Sequence, residues 1–214
     1  MVDLLLNDTR SPRLHLPRVT VAIVDSVAFK PASRVLQHCI NVCEFGAAKF
    51  FTHFEPQGNF YVVPIEKIDS KKAYSHFLVK KLADYLTTDF VLIVQTDGFI
   101  INTDKWTDLF LQYDYIGSPW HQSQIQPGMN PEHRVGNGGF SLRSRRLQEF
   151  LRDDPNIMET HPEDVIICQT YRNYLEEKGF TFAPVELAHQ FSCENYLWNS
   201  AFGQHQYFTL HPAR

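Results

Sequence analysis

Four stretches of this chain hold residues whose types and order could do chemistry. The first is Gln95-Thr96-Asp97-Gly98, which closes the most apolar run in the sequence, Phe90 to Val94. In open α/β sheets ligands sit beyond the carboxyl ends of the strands, so such a run delivers the Asp97 carboxylate to a binding position. Gly98 leaves room for another group to come close, although Asp-Gly is equally an ordinary turn dipeptide. The second is Val135-Gly136-Asn137-Gly138-Gly139-Phe140-Ser141-Leu142-Arg143. Its glycines let backbone amides approach a sugar or phosphate, and Asn137 can hydrogen-bond hydroxyls, while hairpin loops use the same residues. The third, His161-Pro162-Glu163-Asp164-Val165, places two acids at the opening of an amphipathic run. Acids there complement a helix macrodipole. An aspartate near its reference pKa of about 3.9 is ionised at neutral pH and ready to accept a proton, and burial would raise that value. The fourth is Phe202-Gly203-Gln204-His205, with His211 a rival imidazole among ten histidines.

These stretches need a scaffold that brings them together. Val19 to Val24 is a β-branched run without polar alternation, which predicts a strand covered on both faces and hence a parallel sheet. A helix is expected from about Pro31 to Phe45, with Val35, Leu36, Cys39, Ile40 and Cys43 on one stripe and Gly46 as its stop. Short strands follow at Lys49 to Phe54 and Phe60 to Pro64. Asp69-Ser70 then caps a helix through Leu86, ahead of the strand from Phe90. Strand–helix alternation of this kind reads as a doubly wound sheet. Beyond it, Asp114 to Trp120 and Gly138 to Leu142 read as strands, about 144–152 and 162–178 as helices, and Phe180 to Leu187 as a further strand.

Composition narrows the classes of function. The 214 residues suffice for one α/β domain with a substantial core. A net charge of −4 gives no overall positive field to draw in nucleic acid, so a polyanionic ligand needs a local cation or a cluster of basic side chains. No run approaches the ~18 apolar residues of a membrane span. The start of the chain has no basic segment followed by a long apolar core, so it does not read as a secretory signal. The four cysteines form no C-x-x-C pair and read as reduced, buried thiols, which points to a cytoplasmic location.

Taken in order, an early strand ending in Asp25, a mid-chain x-x-D, a Gly-Gly-x-Ser-x-Arg strand, a helix-opening Glu-Asp and a late His resemble the GT-A class of glycosyltransferases from about Val19 to His205. The pattern is most similar to a functionally uncharacterised bacterial GT-A-like domain family recognised by its Q-T-D-G and G-N-G-G-F-S-L-R elements. The resemblance implies an α/β, Rossmann-like GT-A domain over 19–214, with a mostly parallel sheet, helices on both faces, and a lead-in arm over 1–18. It implies transfer of a sugar, with inversion of stereochemistry, from a nucleotide-diphosphate donor to a glycan or other hydroxyl acceptor, in polysaccharide or glycoconjugate synthesis. Donor contacts fall on Asp25, Ser26, Gln95, Thr96, Asp97, Asn137, Gly138, Gly139 and Arg143. The general base is Asp164, with Glu163 the other candidate. Trp120 is either a platform for the acceptor or a buried anchor. A divalent cation, Mn²⁺ or Mg²⁺, would be held by Asp97 and His205, and an imidazole ligand favours Mn²⁺. The chain departs from the D-x-D pattern at Gln95, which brings a carbonyl but no charge. That keeps open metal-independent chemistry, and also a GT-A-like module that binds nucleotide or glycan without transferring. Peripheral membrane association is compatible with all of this.

Overall fold

The computed structural model describes residues 13–194 and 201–205. His211 and residues 1–12 of the lead-in arm lie outside the described residues. Strand β1, Leu14–Val24, starts upstream of Val19 because Leu14 to Leu16 pair with the beginning of β2, Cys43–Thr52. That pairing also corrects the end of the first helix. Helix α1 covers Phe29–Val42 and passes straight into β2, so Gly46 lies inside a strand and stops no helix.

A short strand β3, Tyr61–Pro64, lies parallel to β2 on the sheet's outer edge. Helix α2, Lys71–Lys80, begins at Ser70, whose side chain accepts from the Ala73 amide, and a 3₁₀ turn over Leu82–Tyr85 ends it earlier than the apolar stripe suggests. Strand β4, Phe90–Val94, then returns to the other side of β1. The six-stranded sheet is completed by β6, Tyr115–Pro119, and β7, Val135–Ser144, in the order β3-β2-β1-β4-β7-β6. Only β7 runs against its neighbours, pairing antiparallel with both β4 and β6. The fold is therefore α/β with a mostly parallel sheet.

The apolar runs of β1 and β4 are explained by cover on both faces. Val19, Val21 and Ile23 of β1, with Leu92 and Val94 of β4, pack with Leu36 and Cys39 of α1. The intervening Ala22, Val24, Val91 and Ile93 pack with Phe77 and Leu78 of α2. Each large aliphatic side chain so buried contributes roughly 1.5–3 kcal/mol relative to an exposed one. A third cluster joins Leu147 and Leu151 of helix α3, Arg145–Asp153, to Tyr115 and Trp120.

The second half differs more from expectation. The single helix expected over 162–178 is three pieces: α4, Glu163–Val165; a widened π-helical turn, Ile166–Thr170; and α5, Arg172–Glu177. The strand expected from Phe180 reduces to one bridge, Tyr115 to Phe182, because Pro184 starts helix α6, Val185–Phe191. A second sheet of three short strands, β5 (Phe99–Ile100), β9 (Gly203–His205) and β8 (Ser192–Glu194), lies in that order beside the first.

Candidate active site

The chain leaves β1 for β2 and β3 on one side, then returns to place β4 on the other, so the sheet's order reverses between β1 and β4. Connections that diverge in this way open a crevice at the strands' carboxyl ends. A cavity of about 520 Å³ occupies that place, walled by Asp25 and Ser26 after β1, Gln95 and Thr96 after β4, Tyr74 and Ser75 of α2, and His161 and Glu163. Asp25 shapes the turn out of β1, its Oδ1 accepting from the amides of Val27 and Ala28. Ser26 Oγ accepts from the Ile68 amide and fastens the opposite wall.

Gln95 to Gly98 is a tight turn closed by two backbone bonds of 3.0 Å, with Thr96 and Asp97 at its tip. Asp97 thus sits within a turn and also stands beyond a strand's carboxyl end; the two readings describe one geometry. The Gln95 amide donates to the Tyr74 hydroxyl at 2.7 Å. Immediately after the turn, β5 pairs with β9, with Phe99 opposite Gln204. This short ladder is what carries His205 to Asp97, with Nε2 at 3.7 Å from Oδ1.

Strand β7 is the hub between the remaining elements. A Cβ on Gly139 would overlap His205 Nε2, and one on Gly138 would overlap Glu163 Oε1 and touch Asp164. Glycine at these two positions lets an imidazole settle on one side of the strand and a pair of carboxylates on the other. The Gly138 amide donates to Asp164 Oδ2 at 3.3 Å, and Asn137 Oδ1 accepts from the Gly139 amide. Asp97, Gly138, Gly139, Asp164 and His205 are therefore brought together at one rim of the sheet.

The two adjacent acids sit in different surroundings. Glu163 is buried, with Oε1 3.4 Å from Arg143 Nη2 and Oε2 receiving the Ser75 hydroxyl. Burial first, and then the charge of Asp164, push its carboxyl above the ordinary range against the opposing pull of Arg143. Asp164 is half-buried and held by the Gly138 and Val165 amides. Ser75 also meets His161 Nδ1 at 2.9 Å, which extends the network along the cavity wall.

Two expected contacts are placed elsewhere. Arg143 is fully buried beneath the glycine stretch and directed to Ser141 and Glu163, not to the cavity. Trp120 is buried over Gly136 in the cluster with Tyr115 and Cys168, and is absent from the cavity wall.

Sequence reasoning passed over Tyr74, Ser75, His161 and Glu194. Tyr74 reads as one member of α2's apolar stripe, and nothing marks Ser75. His161 adjoins the Glu163-Asp164 motif, which was its only signal. Glu194 is set against His205 by the parallel pairing of β8 and β9, a contact between segments too short to show a period.

A cation fits this arrangement in part. Among the described residues no three His, Cys, Asp or Glu side chains cluster as a complete metal site. Asp97 and His205 nevertheless supply an oxygen and a nitrogen on one side, a set suited to a cation that takes its other ligands from phosphate and water.

The chain belongs to the family described as protein of unknown function DUF5672, whose family model matches residues 58–207. No curated protein matches the sequence. Among solved structures, it is similar to the mannosyltransferase PcManGT from Pyrobaculum calidifontis in complex with GDP-Man and Mn²⁺, at a TM-score of 0.49 and 12% identity. That match covers 82% of this chain and 58% of the mannosyltransferase, so the chain spans little more than half of that protein's length. It is also similar to a glycosyltransferase involved in the glycosylation of the major capsid of PBCV-1, at a TM-score of 0.46 and 12% identity, with 87% of this chain and 91% of that one covered. No helix among the described residues is long and apolar enough to cross a membrane.

Proposed function

We propose that this chain is a nucleotide-sugar-dependent glycosyltransferase that moves a sugar from a nucleoside-diphosphate donor to a hydroxyl acceptor with inversion. The observation that carries this reading is the convergence of the Gln95–Gly98 turn, the Gly138-Gly139 bend, the Glu163-Asp164 pair and His205 on one another, a group that reaches the wall of the cavity at the sheet's reversal point through Gln95, Thr96 and Glu163. The nucleoside occupies the cavity between Asp25-Ser26 and Gln95-Thr96. The diphosphate points toward Asp97 and His205, and the sugar lies on the side of the Asn137–Gly139 bend, whose glycines let His205 and the Glu163-Asp164 pair stand close to it.

Asp164 takes the proton of the acceptor hydroxyl. Burial raises the Glu163 carboxyl, but that carboxylate is the partner of a fully buried guanidinium. Protonating it would leave the Arg143 charge buried and unpaired, a costly state. Glu163 therefore braces Arg143 and the bend, and Asp164, half-buried beside Gly138 and held by two amides, is the acid left to act. Asp97 and His205 would hold a divalent cation, which would supply positive charge against the departing diphosphate. At ~4 Å and an effective dielectric of ~20 that attraction is about 4 kcal/mol per charge pair, and about 1.4 kcal/mol is tenfold in rate. Gln95 contributes no charge to this, and the cytoplasmic setting and place in polysaccharide synthesis remain part of the same proposal.

The test is nucleotide binding by calorimetry with and without Mn²⁺. Wild type is expected to bind a nucleoside diphosphate more tightly with Mn²⁺, and Asp97→Ala to lose that difference; an Asp97→Ala protein with the full Mn²⁺ response would place the cation elsewhere. One observation favours a second reading, a module that binds but does not transfer: the Gln95 amide is engaged with Tyr74 where the resemblance expects an acid. Release of sugar to water from a bound donor separates the two.

A further inference from the structure

Glu194 is a buried acid that the proposed chemistry does not use. It is 3% exposed, and neither carboxylate oxygen has a hydrogen-bond partner among the described residues. Buried polar groups are paired in the great majority of cases, so an orphaned carboxylate calls for an explanation. The parallel pairing of β8 with β9 sets Glu194 directly opposite His205, and Oε1 lies 3.6 Å from the imidazole Nδ1, which likewise has no hydrogen-bond partner among the described residues. On the other edge of the same ring, Nε2 faces Asp97 at 3.7 Å.

We infer that Glu194 is a positioning residue that sets the His205 imidazole to receive a divalent cation, an inference that rests on the metal-binding part of the proposed function. A neutral imidazole has one N–H and one lone pair, and two carboxylates flank this ring, each able only to accept. If Asp97 takes the N–H, the lone pair turns to Glu194 and no nitrogen is left for a cation beside Asp97. If Glu194 takes it from Nδ1, the Nε2 lone pair faces Asp97, and the two together present an oxygen and a nitrogen on one side. Burial supports the second arrangement, because Glu194 has no water to turn to, whereas Asp97 is about one-third exposed. A carboxylate behind a ligating histidine fixes tautomer and ring orientation, and its loss typically weakens metal binding 10–100-fold. Glu194 itself is no ligand, since it lies on the far edge of the ring from Asp97.

The probe is Mn²⁺ alone, titrated into the full chain while the free ion is followed by electron paramagnetic resonance. Glu194→Gln is expected to weaken Mn²⁺ binding about tenfold or more, with Glu194→Asp recovering most of the loss because a carboxylate acceptor remains. A Glu194→Gln protein that binds Mn²⁺ like wild type, while His205→Ala does not bind it, would overturn this inference and leave the metal site standing. Undiminished binding in His205→Ala would bring down the metal site and the inference together. Should the Glu194 variants fail to fold, ¹⁵N resonances of the wild-type histidines decide: His205 is expected as the Nδ1–H tautomer, and an Nε2–H tautomer would contradict the role given to Glu194.

Discussion

At the scale of single residues, Glu163 and Asp164 have opposite proposed tasks although they are neighbours in the chain. General-base catalysis by one positioned group is worth about 10²–10⁴ in rate. Asp164→Asn should accordingly lower turnover by about 10³ with little change in nucleotide affinity, measured by product release and calorimetry; retained turnover would remove Asp164 from the base role. Glu163→Gln should act through structure instead. It leaves the fully buried Arg143 short of its one charged hydrogen-bond partner among the described residues, so a thermal melt should show a loss of about 3 kcal/mol. A melt unchanged from wild type would mean that the pair is not structural. The motif favoured Asp164 over Glu163 as the base but gave Glu163 no task of its own, because burial and the reach of Arg143 are properties of the fold.

At the scale of elements, strand β7 and the short second sheet decide whether the site assembles. Gly139→Ala should push the His205 ring from its place, costing about 1–3 kcal/mol and abolishing the Mn²⁺-dependent gain in nucleotide affinity. An alanine variant with an intact Mn²⁺ response would show that the strand and the imidazole are less closely packed than described. Away from the site, Asp114 ties the start of β6 to α3 and to Thr181: it accepts from Ser144 at 2.6 Å, from Arg146 at 2.7 and 2.5 Å, and from the Thr181 amide at 2.9 Å. Burial alone would raise its carboxyl, but the bonds from Arg146, Ser144 and Thr181 together hold it below the ordinary range. A depressed carboxylate stabilises the fold above its unfolded-state value, and that contribution is lost as pH falls through the folded one. Asp114→Asn should thus cost about 2 kcal/mol at neutral pH, with the gap to wild type closing below the ordinary carboxylate range near pH 4. A gap that does not change with pH would refute the assignment. Elements of this sheet were legible where one period ran without interruption, as in Phe90–Val94. They were not legible where pairing partners decided the matter: Cys43 to Phe45 leave the helical stripe for a strand because Leu14 to Leu16 are there to pair with.

At the scale of the whole molecule, the strand order places a crevice between β1 and β4 whatever the loops contain, and the loops then supply the polar groups. The α/β class and the mostly parallel sheet could be read from doubly covered apolar runs. The antiparallel β7 could not, since a glycine-rich strand carries little directional signal, and it is β7 that joins the carboxylate side of the site to the imidazole side. Trp120 and Arg143 show the same limit: their types suit ligand contact, and only packing shows both turned inward. The most direct measurement of the central claim is ³¹P NMR of nucleotide sugars incubated with the wild-type chain and Mn²⁺, beside Asp164→Asn. At least one donor is expected to give up its sugar and release nucleoside diphosphate with wild type, and to stay intact with Asp164→Asn. A panel of donors left whole by wild type, or cleaved equally by both proteins, would contradict it.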